Sequence, residues 1–223
     1  MKKHIPNILT LANLFTGCVG IVYVFENNLA YAAYAIWIAA EFDFLDGFSA
    51  RLLKVSSPIG KELDSLADMV TFGALPSFIL FKMMAGTSYE LAAYIAFALA
   101  LFSALRLAKF NVDTRQSNTF IGMPTPAAAF FVSGLPFWQT QYPELMSWQI
   151  IIIITVILSL LLVSPIKMLA LKFTEYSVKN NWHRYIVLLL SLTAFVFLGP
   201  KSLPIIIGLY LIISLISPKP ILQ

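Results

Sequence analysis

The sequence predicts an all-α, polytopic membrane helical bundle of about eight transmembrane helices, folded as one domain over residues 1–223. Three observations lead there. Hydrophobic residues make up 59% of the 223 positions and charged residues only 12%, where a soluble domain carries about 25% charge. The apolar residues fall into successive runs, several near the length of about 20 residues that a bilayer requires. The basic residues are scattered in short segments between those runs, so the net charge of +4 points to anionic lipid headgroups rather than nucleic acid. Cys18 is the single cysteine, and His4 and His183 lie far apart in sequence, one at the N-terminal tip and one in a polar loop. That excludes a disulfide framework and leaves metal chemistry to oxygen ligands.

The elements follow in order. Residues 1–7 are a short basic and polar lead, and the run 8–25 reads as an uncleaved first span, because small-residue cleavage signals are weak and further spans follow. Asn13 and Gly17 within it read as packing positions. Glu26, Asn27 and Asn28 form a loop, after which the second span covers 29–54 and the third 58–84. A fourth helix is expected over 89–110, ending in Arg106 and Lys109, followed by the polar segment 111–118. The fifth, an Ala/Phe-rich run from Gly122 to about Phe137, is short for a span. The sixth covers 148–168, and Ser164 and Pro165 kink or terminate it. Segment 171–184 is polar and basic. The seventh and eighth spans are placed at 185–198 and 203–217 around Gly199, Pro200 and Lys201, with a hairpin at the bundle edge as the alternative.

With eight spans and the N-terminus inside, thirteen of the fifteen Lys and Arg residues fall on the cytoplasmic side. Lys82 and Lys201 are the exceptions. The positive-inside rule therefore predicts a multi-pass cell-membrane protein whose N-terminus faces the cytoplasm.

One stretch departs from this plain pattern. Asp43 and Asp46 share a face of the second helix, and Asp64 and Asp68 lie one turn apart on the third, with a break at Ser56, Ser57, Pro58 and Gly60 between them. If the helices fold back on each other, four carboxylates converge in a low-dielectric setting, where they repel and pay for desolvation. Three explanations stand: salt-bridge partners for Arg51, Lys54 and Lys61, a proton or cation pathway, or a divalent-metal site. Oxygen ligands without His or Cys suit Mg2+ or Mn2+, and two such ions balance four carboxylates. A pair of metals about 4 Å apart is an established arrangement for displacement at phosphorus. Gly47 and Ala50 leave a strip of bare backbone against which a nucleotide can lie, and Arg51 adds a phosphate contact.

The run Asp43-Phe44-Leu45-Asp46-Gly47-Phe48-Ser49-Ala50-Arg51, continued at Gly60, Asp64 and Asp68, resembles the full signature of the CDP-alcohol phosphatidyltransferases, with no signature position departing from it. The resemblance implies a six-helix core and a commonly homodimeric membrane enzyme that transfers a phosphatidyl group from a CDP-linked lipid to an alcohol and releases CMP. It makes Asp43, Asp46, Asp64 and Asp68 metal ligands and Asp68 also the general base. It puts Gly47, Ala50 and Arg51 against the CDP moiety, and Gly60 at a close helix approach.

Two further stretches resemble the serine-using bacterial and archaeal branch of that family. They are the opening, Pro6 to Leu14, and the block Arg106-Leu107-Ala108-Lys109-Phe110-Asn111-Val112 followed by Phe120 to Ala129. This resemblance covers about the first 140 residues and implies CDP-diacylglycerol and L-serine as substrates, giving phosphatidylserine and CMP. Glycerol 3-phosphate or inositol as acceptor, and an ether-linked lipid donor, stay open. Serine brings a carboxylate, for which Arg106, Lys109 and Arg115 are the candidate cations; the alternative for each is interfacial anchoring.

Overall fold

The computed structural model describes residues 4–55, 57–85, 90–112, 120–168 and 178–216. Helix α1, Ile5–Phe25, starts with Pro6 in its first turn, where a missing N–H breaks no helical bond. Its buried residues, Pro6, Thr10, Asn13, Gly17, Gly20 and Val24, recur at intervals of three and four and form one stripe. That stripe packs on α2, Leu29–Leu53, along its length. The Asn28 side chain caps α2 by accepting from the Tyr31 N–H at 3.3 Å. Lys54, at φ 53°, ends it in the left-handed conformation.

Ser57 caps α3, Pro58–Asp68, by accepting from the Gly60 N–H at 3.0 Å. At Asp68 the helix passes without a break into a π-helical turn, Met69–Ala74, and then into α4, Leu75–Met84. The short α5, Glu90–Ala93, leads through a 3-10 turn at Tyr94–Phe97 into α6, Ala98–Val112. Helices α7, Thr125–Gln141, and α8, Trp148–Val163, follow. Then come α9, Val178–Leu198, and α10, Ser202–Ile216, joined by a 3-10 turn at Gly199–Lys201. Gly199 takes φ +57°, a conformation that suits glycine in this turn.

The core is a hydrophobic cluster led by Ile36, Phe72, Leu75, Ile79, Leu80, Leu99, Met123, Val132 and Ile151. Three side-chain bonds tie the helices around it: Trp37 Nε1 to Ser133 Oγ at 2.9 Å, Trp138 Nε1 to the Lys201 carbonyl at 2.8 Å, and Gln139 Nε2 to the Met83 carbonyl at 3.1 Å. Outside the core, Leu189, Leu192, Val196 and Phe197 of α9 are exposed, as suits a face in contact with lipid.

The expectation of eight spans is corrected. Among the described residues, four helical stretches are long and apolar enough to cross a membrane: Ile5–Phe25, Pro58–Met84, Leu91–Val112 and Tyr185–Ile216. The physical reasons differ by element. Helix α2 has the length but carries Glu41, Asp43, Asp46 and Arg51. Helices α7 and α8 are only 17 and 16 residues long. The expected seventh and eighth spans fall within a single apolar helical stretch of 32 residues. Among the described residues no six-helix core is set apart either: α10 packs on α7 and buries Ser202 and Tyr210.

A small departure from an all-helical chain is a two-residue antiparallel bridge. In it β1, Phe120–Ile121, pairs with β2, Lys167–Met168, in the register Phe120 to Met168 and Ile121 to Lys167. Beside it Gly122, at φ +79°, donates to the Ile166 carbonyl at 2.8 Å, and a Cβ there would collide with the Leu162 carbonyl. The entry to α7 is thereby fastened to the end of α8.

Candidate metal and phosphotransfer site

Helix α1 organises the site, because α2 and α3 both pack against it. One carboxylate oxygen from each of Asp43, Asp64 and Asp68 lies within 4.8 Å of the others. Asp46, only 7% exposed, accepts a 2.6 Å bond from Thr10 Oγ1 through its Oδ2. Its charge still acts on Asp43, Asp64 and Asp68. On the far side Asn13 Nδ2 donates to Asp68 Oδ1 at 3.5 Å. Two polar side chains of α1, one helical turn apart, thus hold one acid from each of the other helices.

A cavity of about 600 Å³ opens beside this cluster, lined among others by Asn7, Asp46, Gly47, Ala50, Gly60 and Asp64. A Cβ placed on Gly47 would meet nothing within 4 Å, so no packing against protein demands glycine there. At Gly60 a Cβ would come within 3.1 Å of Asn7 Oδ1, and the wall is close. Lys54 and Lys61 also line the cavity, placing cations beside the two acids. Lys61 Nζ donates to the Asn111 carbonyl at 2.9 Å, which ties α3 to the end of α6.

The donor set fits a divalent cation. It offers only hard carboxylate oxygens, from helices that hold them close together. The open strip at Gly47 and Ala50 leaves room for a ligand reaching that ion.

The candidate residues distribute as follows. Asp43, Asp64 and Asp68 converge, Asp46 sits beside them on Thr10, and Gly47, Ala50 and Gly60 line the adjoining cavity. Arg51 is exposed one residue beyond Ala50 on α2. Arg106 is buried at 8% exposure, within electrostatic reach of Asp68. Lys109 is exposed at the end of α6, and Arg115 lies outside the described residues. Spacing alone does not mark Thr10 or Lys54 as site residues, and Asn13, a packing position by sequence, bonds Asp68. The signal for the two α1 residues was present: polar side chains at positions 10 and 13 fall on the same three-and-four stripe as Gly17 and Gly20. Polar groups on the buried stripe of an apolar helix need partners.

Residues 3–161 match the family described as CDP-alcohol phosphatidyltransferase. The chain is 32% identical over 216 residues to a CDP-diacylglycerol–serine O-phosphatidyltransferase of Helicobacter pylori, covering 95% of this chain and 89% of that one. A protein of the same description from Bacillus subtilis is 37% identical over 165 residues, 74% of this chain and 89% of that one. Another, from Methanocaldococcus jannaschii, is 34% identical over 163 residues, 73% and 72% of the two chains.

Proposed function

The chain belongs to the CDP-alcohol phosphatidyltransferase family, and we propose that it transfers the phosphatidyl group of CDP-diacylglycerol to L-serine, giving phosphatidylserine and CMP. The observation that carries the reaction class is the convergence of Asp43, Asp64 and Asp68 within 4.8 Å, next to a cavity whose wall is bare at Gly47. The acceptor is supported by the descriptions of the bacterial and archaeal relatives and by the Arg106 to Ala129 block.

Two Mg2+ or Mn2+ ions held by Asp43, Asp46, Asp64 and Asp68 would supply charge neutralisation at the pyrophosphate and the departing CMP. The protein's own groups do the rest. The Gly47 and Ala50 backbone receives the nucleotide, while Arg51 and Lys54 contact its phosphates. Asp68 takes the proton from the serine hydroxyl. The hydroxyl oxygen then forms its bond to the lipid-side phosphorus as the bond from that phosphorus to the CMP oxygen breaks. We take transfer as direct: the Thr10 hydroxyl beside the acids is held by Asp46 and the Pro6 carbonyl, and the attacking oxygen is that of the acceptor.

The N-terminus of α1, the acids and the basic ends of α2 and α6 gather at one end of the bundle. We place that end in the cytoplasm on the positive-inside rule. The working unit is a homodimer, as the family resemblance implies.

The test is product identity. Purified protein supplied with CDP-diacylglycerol, Mg2+ and equal concentrations of L-serine, glycerol 3-phosphate and inositol is expected to yield phosphatidylserine and stoichiometric CMP. Another phospholipid as the main product would reassign the acceptor, and metal flux in proteoliposomes without CMP release would reassign the class. The cavity wall gives a second expectation. Gly47→Leu should leave the thermal midpoint unchanged or higher, because glycine inside a helix costs roughly 0.5–1 kcal/mol. It should also raise the donor KM about tenfold by occupying the cavity. An unchanged donor KM would move the nucleotide away from this face.

A further inference from the structure

Four buried side-chain atoms have no hydrogen-bond partner among the described residues: Asn13 Oδ1, Ser103 Oγ, Arg106 Nε and Ser159 Oγ. Such atoms are rare in folded proteins, and each calls for an explanation. Two of them belong to side chains that act on Asp68, one by a hydrogen bond and one by its charge. Asn13, on α1, is 0% exposed and gives its Nδ2 to Asp68 Oδ1. Because a carboxylate oxygen can only accept, the amide must present its NH2 group there, which leaves Oδ1 as the spare atom. Arg106, on α6, is 8% exposed and interacts electrostatically with the same carboxylate.

The two spare atoms differ in sign. Asn13 Oδ1 can only accept a hydrogen bond, and Arg106 Nε can only donate one. Neither is explained by helix packing. The contact between α1 and the π turn is made by Thr71 Oγ1 bonding the Asn13 main-chain carbonyl at 3.3 Å, without the Asn13 side chain. The guanidinium of Arg106 is held from two other directions. Its Nη1 lies 3.4 Å from Thr125 Oγ1, and its centre lies 5.8 Å from the Phe110 ring.

We infer that Asn13 and Arg106 read the acceptor as a zwitterion, Asn13 Oδ1 taking its ammonium and Arg106 its carboxylate while Asp68 faces its hydroxyl. The inference rests on the phosphatidyltransferase reading above and deepens it. It defines the acceptor class as a small 2-amino-3-hydroxy acid. Inositol offers hydroxyl donors but neither charge, and glycerol 3-phosphate offers an anion with only a neutral hydroxyl for Asn13. Inositol gives Arg106 no counter-ion, and both give Asn13 a neutral donor in place of the charged one that forms the stronger bond.

The test uses the purified full chain with CDP-diacylglycerol and Mg2+, and three acceptors: L-serine, 3-hydroxypropionate, which lacks the ammonium, and L-serine methyl ester, which lacks the carboxylate. The wild type is expected to prefer L-serine over each analogue by about 100-fold in kcat/KM. In Asn13→Ala the preference over 3-hydroxypropionate should collapse at least about tenfold while that over the ester persists. Arg106→Gln should show the reverse pattern. Equilibrium binding of labelled L-serine should weaken in each variant by a similar factor. Equal use of L-serine and 3-hydroxypropionate by the wild type would overturn the inference without need of any variant, and would leave the serine transferase reading standing. Equal losses on all three acceptors in Asn13→Ala would reduce that residue to a support for Asp68 and overturn its part. A wild type that releases CMP with inositol or glycerol 3-phosphate but not with L-serine would overturn both.

Discussion

Asp68→Asn is expected to lower CMP release by about 10³-fold or more while leaving the metal-free protein at least as stable as the wild type. The two halves of this result have one origin. Asp68 is the carboxylate that joins the cluster from the end of α3 and is also the one bonded by Asn13. Asparagine preserves its shape and an oxygen that can still accept from Asn13. It cannot accept a proton at neutral pH, and losing a general base alone costs about 10²–10⁴-fold. Without metal, however, the substitution removes one of several like charges that repel at close range. Turnover by CMP release and thermal unfolding in chelator measure the two effects. Activity within tenfold of wild type would remove Asp68 from the chemistry.

Withdrawal of divalent ions ranks next. Chelation is expected to abolish CMP release, and Mg2+ or Mn2+ to restore it. The same additions should raise the unfolding midpoint by several degrees, since a ligand at 100 times its Kd adds about 2.7 kcal/mol to the folded state. Asp43→Asn should flatten that thermal response, because it removes one of the three converging ligands. This readout is independent of turnover. Full activity in excess chelator would exclude the metal centre, and an undiminished thermal response in Asp43→Asn would exclude Asp43 as a ligand.

Much of the site could be read from spacing alone, because intervals of three and four residues on a helix fix which side chains share a face. Asp64 and Asp68 therefore share a face, as do Gly47 and Ala50, while Gly60 of α3 reaches the same cavity only through the turn between the two helices. The contribution of α1 was harder to see. Thr10 and Asn13 sit in an apolar run where a polar residue reads equally well as a packing contact, and only the fold shows them pointing at Asp46 and Asp68. Arg106 and Lys109 are three residues apart and chemically alike, yet one is buried beside Asp68 and the other exposed. That difference is set by the packing of α6, not by anything local. Counting apolar runs overstates the number of spans, because a run must combine length with low charge. Helix α2 is long but acidic, and α7 and α8 are apolar but short.

The π turn at Met69–Ala74 sits between two halves of a single span with different duties. Upstream, α3 must aim Asp64 and Asp68 at α1 and α2. Downstream, α4 must bury Leu75, Ile79, Leu80, Met83 and Met84 in the core. A π turn is in effect one residue inserted into an α-helix, and one residue is about 100° of rotation. It works as a phase shifter: the core half is turned by about one residue relative to the acidic half, compared with an unbroken α-helix, with Gly73 and its neighbours as the joint between them.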